Sequence, residues 1–440
     1  MFKIFANAWR VGDIRKKLLF IFLLLFIYRF GSVIPLPGLD MELLHGVRTG
    51  FGGPDWDPVQ NVFMMLMGGG IGSIFAMGIA PYITASIIMQ LLTYAIPQIK
   101  QMQQDGEDGR KKIEQFTRYL AVALAALQAA GMVFTYTNFH GSGYNLFRAE
   151  HQNMLVYIIA TIAMMTGTIF IMWLAELITE RGIGQGASFL IFANILAGMP
   201  RDAMSMWMHL TDNLSVTTVV IILGLLAIFV AIIAFVVMVH EGERRIPVQY
   251  SRKAASGRGM YGNQNSYIPL KVNIAGVLSI IFAMSLLGFP AMIGQFFPNN
   301  TTMTNISRVL DVHQNPHAIG IVIYVLLIFA FTHFYTSFAV NPVEMAENMK
   351  KNGGFIPGIR PGKPTSDFIQ VTVNRLSWIG SVFYALIAIM PVILQLSLRR
   401  TGMNLGFGGT SLLIVTGVAL EFVKQLESQL LMRHYKGFLE

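Results

Sequence analysis

Residues 58–95 read PVQNVFMMLMGGGIGSIFAMGIAPYITASIIMQLLTYA and are apolar almost throughout. As one α-helix, this stretch would extend ~57 Å, about twice the ~30 Å hydrocarbon thickness of a bilayer. The glycine-rich run GGGIG occupies residues 68–72 in its middle, and each glycine disfavours a helix interior by about 1 kcal/mol. The stretch is therefore predicted to break there, into a short segment 59–67 and a crossing segment 73–95.

The short segment 59–67 is too short to cross a membrane. A half-helix that ends inside a membrane leaves backbone N–H and C=O groups unpaired, which is tolerated only where protein or a water-filled cavity surrounds them. The break therefore predicts a segment seated in a cavity, which indicates a conduit. The alternative is one long, tilted helix with a kink.

Composition favours an integral membrane protein. The 440-residue chain is 54% apolar and only 12% charged, whereas average soluble proteins carry about 25% charged residues. It has no cysteine, which excludes disulfides, thiolate metal sites and a cysteine nucleophile. No small-residue cleavage pattern follows the apolar run 18–37, so we interpret that run as a retained first span and not a signal peptide.

Hydropathy predicts ten membrane spans, of which the glycine-interrupted 186–199 is the weakest. The spans are 18–37, the broken 58–95, 117–137, 154–177, 186–199, 215–239, 272–296, 318–340, 376–396 and 411–432. They divide into an N-terminal half, 1–210, and a C-terminal half, 211–440. An odd number of spans per half inverts the second half relative to the first, as in inverted repeats around a midplane pathway. The predicted fold class is an all-α polytopic membrane protein with two inverted five-helix halves.

The distribution of lysine and arginine predicts the orientation. If the N-terminus is cytoplasmic, most of the 32 basic residues fall in cytoplasmic segments. The opposite side then holds only Arg48, Arg148, Arg201, Arg308, Arg399 and Arg400. Under the positive-inside rule, both termini are predicted to be cytoplasmic.

Two cytoplasmic segments, 240–271 and 341–375, are much longer than antiparallel helices need for a connection. Their basic residues follow from the positive-inside rule, but their length does not. Long basic loops suit docking to a cytosolic partner, with phosphate-rich surfaces a natural match. The alternative is that the two segments only connect helices and bind no partner.

The motifs of common enzymes do not occur in the sequence. It contains neither H-E-x-x-H nor G-x-S-x-G. The run GIRPGKPT at residues 358–365 lacks the spacing of a phosphate-binding loop, and its prolines remove amides that would bind phosphate. We therefore expect no enzyme activity, no metal, no cofactor and no nucleotide site, so the energy for transport would come from elsewhere.

Taken together, several motifs resemble the SecY family, the central subunit of the bacterial-type Sec protein-conducting channel. They occur along the whole chain in the family's order. They are IPLPG (34–38), SIFAMGIAPYITASIIMQLL (73–92), DGEDGRKKIEQFTRYL (105–120), ITERGIGQG (178–186), PLKVNIAGV (269–277), GGFIPGIRPGK (353–363) and FGGTSLLIV (407–415).

The resemblance implies an hourglass pore with a re-entrant plug at 59–72. The plug residues would be Val59, Asn61, Phe63, Met64, Met67, Gly68, Gly69 and Gly70. A hydrophobic pore ring is implied at Ile79, Ile83, Ile191, Ile281 and Ile414. An aliphatic ring offers ions and water no polar partner, yet yields to a passing chain. Branched apolar residues are also ordinary in any span. Ala187 falls where some relatives carry a bulky ring residue, so the ring could be looser here.

The resemblance also implies polar lateral-gate positions at Thr84, Gln128 and Ser285. Single polar residues in membrane helices are more often local helix–helix contacts, worth about 0.6 kcal/mol each. Six residues of the two long loops match partner-binding positions. They are Arg252, Lys253, Arg258, Gly358, Arg360 and Pro361.

By this resemblance the chain would translocate unfolded polypeptides and release apolar segments sideways into lipid, driven by a separate motor or the ribosome. The implied partners are the small membrane subunits SecE and SecG, the SecA motor ATPase, the ribosome, signal peptides and nascent chains, and membrane lipid. SecDF and YidC are further candidates. The implied location is the plasma membrane. Two other classes remain: a secondary transporter, which would need polar groups converging at the midplane, and an intramembrane enzyme, which would need a catalytic pair inside the spans.

Overall fold

We describe the fold from a computed structural model of the chain. The described residues are 2–40, 72–137, 145–212, 216–250, 266–272, 274–294, 296–297, 300–310, 312, 317–399 and 409–436. The predicted plug, 59–72, lies outside them except for Gly72.

Helices dominate the described part of the chain. They are α1 (Phe2–Arg10), α2 (Gly12–Gly31), α3 (Ala80–Ala95), α4 (Pro97–Gln104), α5 (Glu107–Thr137), α6 (Met154–Arg181), α7 (Gly186–Asp212), α8 (Val216–Glu241), α9 (Leu278–Gly294), α10 (Thr301–Leu310), α11 (Ala318–Ala339), α12 (Pro342–Lys351), α13 (Lys363–Arg399) and α14 (Gly409–Lys436). Three strands accompany them: β1 (Glu243–Tyr250), β2 (Ser266–Lys271) and β3 (Gly354–Phe355). The predicted boundary between the halves falls within the last turn of α7.

Within the described residues, four stretches of helix are long and apolar enough to cross a membrane. They are Glu107–Thr137 (α5), Met154–Arg181 (α6), Ala318–Lys351 (α11 with α12) and Lys363–Met390 (the first part of α13). Helices α3 and α4 form a fifth candidate, bent by 106° at the break between them. Shorter apolar helices lie at Gly186–Pro200, Leu226–Glu241 and Leu278–Gly294. These findings establish a helical membrane protein, and the count of ten spans stays a prediction.

The prediction that 73–95 forms one crossing helix was wrong at its start. Residues 73–79 form turns and a β-bridge, and α3 begins only at Ala80, with Pro81 in its first turn. Proline suits that position because it has no N–H to leave unpaired and its φ already fits a helix. Gly72 and Gly78 bound the turns with φ values of +75° and +55°, a left-handed conformation that favours glycine. The interruption is therefore longer than the glycine run alone indicated.

The helices pack as two groups. In the first, α3 packs on α5, α5 on α6, α6 on α7, and α2 on both α6 and α7. In the second, α9 packs on α11, α11 on α13, and α14 on both α8 and α13. The groups meet along two main seams, with α9 against α3 and α5 at one and α7 against α14 at the other. The first helix, α1, also contacts α14.

The two long loops are joined in one antiparallel sheet of order β2-β1-β3, which we call the loop sheet. Strand β1 pairs with β2 from Glu243↔Lys271 to Val248↔Ser266, and with β3 at Gln249↔Phe355. One face of the sheet packs on α12 and α13 in a separate apolar core, which includes Ile246, Val248, Leu270, Met349, Ile356 and Ile369. The described parts of the two loops therefore form a folded body with its own core.

Candidate functional site

Five isoleucines from four helices or their ends lie in one buried apolar cluster. They are Ile79, Ile83, Ile191, Ile281 and Ile414, and none exposes more than 8% of its surface. Ile79 caps α3 and Ile83 lies one turn further, its amide donating to the Ile79 carbonyl at 3.1 Å. The other three lie on α7, α9 and α14, so both helix groups contribute. The structure thus places all five residues assigned to the pore ring in the same extended apolar core, and their meeting as a ring stays a prediction.

The five isoleucines have side chains suited to a seal. Branched aliphatic side chains give water and ions no hydrogen-bonding partner, and they interact with one another only by weak dispersion contacts. Ala187, where a larger residue was expected in relatives, is partly buried and packs against the same cluster.

The residues assigned to the plug cannot be placed in the same way. Val59, Asn61, Phe63, Met64, Met67, Gly68, Gly69 and Gly70 all lie outside the described residues.

The three predicted gate residues lie on the helices of the first seam. Thr84 is on α3, Gln128 on α5 and Ser285 on α9, and all three are buried. The side-chain amide of Gln128 crosses the seam and donates to the sulfur of Met292 on α9 at 2.8 Å. A thioether sulfur is a weak acceptor, so this contact joins the two groups without fastening them strongly.

Two further polar atoms at this seam are buried without a hydrogen-bond partner. They are the side-chain carbonyl oxygen of Gln128 and the hydroxyl of Ser285. A buried unsatisfied polar atom costs about 1–3 kcal/mol. The packed seam of this structure therefore carries the cost of two unsatisfied polar atoms.

Sequence reasoning missed Met292. It follows Ser285 by seven residues on the same helix, so the two side chains lie on one face two turns apart. That spacing could have identified it. The choice of Met292 as the partner of Gln128, however, depends on how α5 and α9 cross, which the sequence does not contain.

Of the predicted partner-binding residues, three are described. Gly358 (φ +81°), Arg360 and Pro361 lie in the exposed connection between β3 and α13. The Arg360 backbone carbonyl accepts a hydrogen bond from the Thr365 hydroxyl at 2.9 Å, so the connection is fixed to the start of α13. The others, Arg252, Lys253 and Arg258, lie outside the described residues.

The neighbouring loop sheet presents an exposed cation. Arg245 on β1 contacts the Glu243 carboxylate at 2.7 Å and stacks over the Tyr267 ring at 4.8 Å. The hydrogen bond that Arg245 donates to the Glu243 carboxylate raises the pKa of Arg245 above its ordinary value. This side of the molecule thus carries exposed positive charge on a folded support.

Two groups of apolar helices that share a buried apolar core, with a polar contact at one seam, define a helical membrane protein. Comparison with known sequences gives the family. The sequence model of the SecY family matches residues 73–423, and the chain belongs to that family. It is therefore a channel protein and not an enzyme.

The chain is similar over its full length to curated bacterial proteins named protein translocase subunit SecY. It is 42% identical over 450 residues to that of Halalkalibacterium halodurans, 44% over 451 to that of Streptomyces coelicolor, and 41% over 451 to that of Bacillus subtilis. In each case all of both chains is covered.

Solved structures share the fold. One described as the structure of a protein conducting channel matches with a TM-score of 0.67 at 18% identity, covering 93% of this chain and 91% of the other. Sec61 in a canine ribosome–channel complex matches with a TM-score of 0.63 at 17% identity, covering 94% and 91%.

Proposed function

We propose that this chain is the channel-forming subunit of a bacterial protein translocase, passing unfolded polypeptides across the membrane and apolar segments sideways into it. The observation that carries the proposal is that five isoleucines from both helix groups are buried in the same apolar core. A secondary transporter would need polar groups at this point. Aliphatic side chains seal against ions and select no solute.

In this proposal each segment of the chain has its own role in translocation. The chain 59–72 acts as the plug, the isoleucine cluster closes around the translocating chain, and the seam between α9 and α3/α5 opens to lipid. The halves 1–210 and 211–440 separate at that seam. Both termini lie in the cytoplasm and the protein in the plasma membrane, in agreement with the charge distribution.

Energy and substrates come from partners. The proposal includes the ribosome, the SecA motor ATPase and the small subunits SecE and SecG, together with signal peptides. It is supported by two exposed arginines on the same folded body, Arg360 in the connection after β3 and Arg245 on β1. One solved structure of similar fold is a ribosome-bound channel.

Translocation in purified vesicles tests the function. The chain, co-expressed with its small membrane subunits, is reconstituted into vesicles and supplied with the motor, ATP and a secretory precursor. Precursor is expected to become protected from added protease. Uptake of small solutes without precursor protection would favour the transporter class instead.

Docking is tested separately at the loop connection. Arg360→Glu is expected to weaken motor or ribosome binding about tenfold, which corresponds to ~1.4 kcal/mol. The binding affinity of the variant is also expected to depend less on salt concentration. Lys350→Glu on α12, also exposed, is the matched control for a charge change outside the connection. Equal losses in both variants would mean that net charge, and not the connection, attracts the partner.

A further inference from the structure

Residues 73–77, which we call the anchor segment, are buried at four of five positions although they belong to no helix. Ser73, Phe75, Ala76 and Met77 each expose 6% or less of their surface. Buried backbone outside regular structure needs other hydrogen-bond partners. The chain after α2 supplies them.

The pairing is that of a short β-bridge between Ser73 and Pro35. The Leu36 amide donates to the Gly72 carbonyl at 2.8 Å, and the Ile74 amide donates to the Ile34 carbonyl at 3.1 Å. The anchor segment is thereby hydrogen-bonded on both sides of Ser73 to the chain that leaves α2.

An aromatic stack fixes the same segment from the other direction. The Phe75 ring lies between Tyr28 of α2, at 6.1 Å and 11°, and Phe170 of α6, at 5.9 Å and 24°. Phe170 in turn contacts Trp173, with ring centroids 5.6 Å apart. The stack thus connects two helices through a residue that belongs to neither.

Two glycines on those helices make room for the segment. A Cβ atom on Gly31 of α2 would overlap the Phe75 ring, and one on Gly167 of α6 would overlap the Ile74 carbonyl oxygen. A flexible side chain could yield, but a stacked ring and a backbone carbonyl cannot do so cheaply. The fit around Phe75 is therefore close on both sides.

We propose that the anchor segment is a fixed point of the channel: it holds Ile79 at the pore ring during transport, and Phe75 is its positioning residue. This rests on the proposed function. Only one residue, Gly78, separates the segment from Ile79, the cap of α3. On opening, the α9 seam then rearranges, and the 34–36/72–74 pairing persists in the open channel.

A disulfide tests the fixed point directly. Pro35→Cys and Ser73→Cys place two thiols at a β-bridge, where Cα atoms lie close enough for a disulfide, in a chain without native cysteine. Oxidation is expected to leave precursor translocation within about twofold of the reduced form, whereas a loss of about tenfold or more, restored by reductant, would overturn the proposal. Failure of the disulfide to form would overturn it too.

The reduced double variant separates this result from failure of the proposed function. If the reduced protein does not translocate precursor at all although the complex is folded, the proposed function fails. If it translocates and the oxidised protein does not, only the anchor proposal fails. Each single-cysteine variant controls for oxidation elsewhere.

Phe75 is tested by ion leakage of the idle channel in vesicles. Phe75→Ala is expected to increase leakage about tenfold by freeing Ile79, while Phe75→Tyr, which keeps the ring, stays near wild type. The channel with Gly31→Ala alone is expected to leak more ions than wild type, because the added methyl group displaces the Phe75 ring. The double variant with Gly31→Ala and Phe75→Leu is expected to leak less than the Gly31→Ala variant. A merely structural role would lower thermal stability in Phe75→Ala without raising leakage, and that result would contradict the assignment.

Discussion

At the scale of single residues, the seal depends on the absence of polar atoms. The side chains of the five isoleucines carry no polar atom and contribute only apolar surface to the cluster. Ile281 on α9 is the member nearest in sequence to the gate residue Ser285. A substitution of Ile281 is expected to affect sealing and opening in different ways, so the two effects can be measured separately.

We expect Ile281→Asn to increase ion permeability of the idle channel about tenfold, corresponding to ~1.4 kcal/mol less of a barrier, because the amide gives water hydrogen-bonding partners. Conductance across a planar bilayer measures the change. Ile281→Val, which removes one methylene and adds no polar atom, is expected to stay within about twofold. Unchanged permeability in Ile281→Asn would place the constriction elsewhere.

Gln128 should control how easily the seam opens. Gln128→Leu replaces a buried amide, whose carbonyl oxygen has no partner, by an apolar side chain of similar size. Removing that unsatisfied atom is expected to stabilise the closed seam by about 1 kcal/mol, which lowers the open population roughly fivefold.

Translocation of precursors with weakly apolar signal peptides measures that change, because strongly apolar signals can still open the seam. Thr161→Leu on α6, which also replaces a partly buried polar side chain but lies away from the seam, is the control. If Gln128→Leu accepted weak signals better than wild type, the cost assigned to the buried amide would be wrong.

The sequence pointed to some of the candidate site residues and missed others. The isoleucines and Gln128 were found by resemblance, since a branched apolar residue in a span carries no local signal of its own. Met292 and Phe75 were missed. Their roles arise from partners on α5, α2 and α6, and residue spacing within one helix does not contain that information.

At the scale of elements, the broken span shows where local reasoning works. Length and the glycine run 68–72 predicted an interruption, because a bilayer fixes how much helix is needed. The interruption in fact continues to Ile79, since residues 73–77 exchange helical hydrogen bonds for the pairing with 34–36. That exchange depends on chain about 40 residues earlier, which no local pattern reveals.

The loop sheet is a second element with contacts between distant segments. Charge and length predicted that the loops at 240–271 and 341–375 serve docking, but not that β1 pairs with β3. The pairing joins the loops into one body, which continues directly into α13. A force applied at the Arg360 connection is thereby carried to a helix of the second group.

The core of this body gives a prediction about stability. Ile369 and Val371 lie two residues apart on α13, the first fully buried in the core below the sheet and the second 49% exposed. Ile369→Ala is expected to destabilise the loop sheet by about 2–4 kcal/mol, and Val371→Ala by less than about 1 kcal/mol. Hydrogen exchange of the β1 amides measures both.

Motor or ribosome binding should fall together with the protection of β1 in Ile369→Ala and stay unchanged in Val371→Ala. Binding that persists after protection is lost would show that the connection docks without the folded sheet.

At the scale of the whole molecule, the two seams differ in chemistry. The α9 seam has a weak amide–sulfur contact and two unsatisfied polar atoms. The α7/α14 seam has an edge-to-face pair, Phe189 and Phe422, with ring centroids 5.0 Å apart. Apolar aromatic packing carries no unsatisfied group, so opening this seam would only lose contacts. The molecule should therefore open at α9 and hinge at α7/α14.

Cross-linking the two seams one at a time tests this asymmetry in a chain without native cysteine. Cysteines replacing Gln128 and Met292, joined by a short thiol-reactive cross-linker, are expected to reduce release of apolar segments into lipid about tenfold or more. Cysteines replacing Phe189 and Phe422, joined by the same reagent, should leave release within about twofold, because a hinge tolerates a tether that an opening seam does not.

The extent of cross-linking in the two variants is matched on a gel, and the double variants without cross-linker are the controls. If tethering α7 to α14 stopped release while tethering α5 to α9 did not, the channel would open on the opposite side from the one its unsatisfied polar atoms indicate.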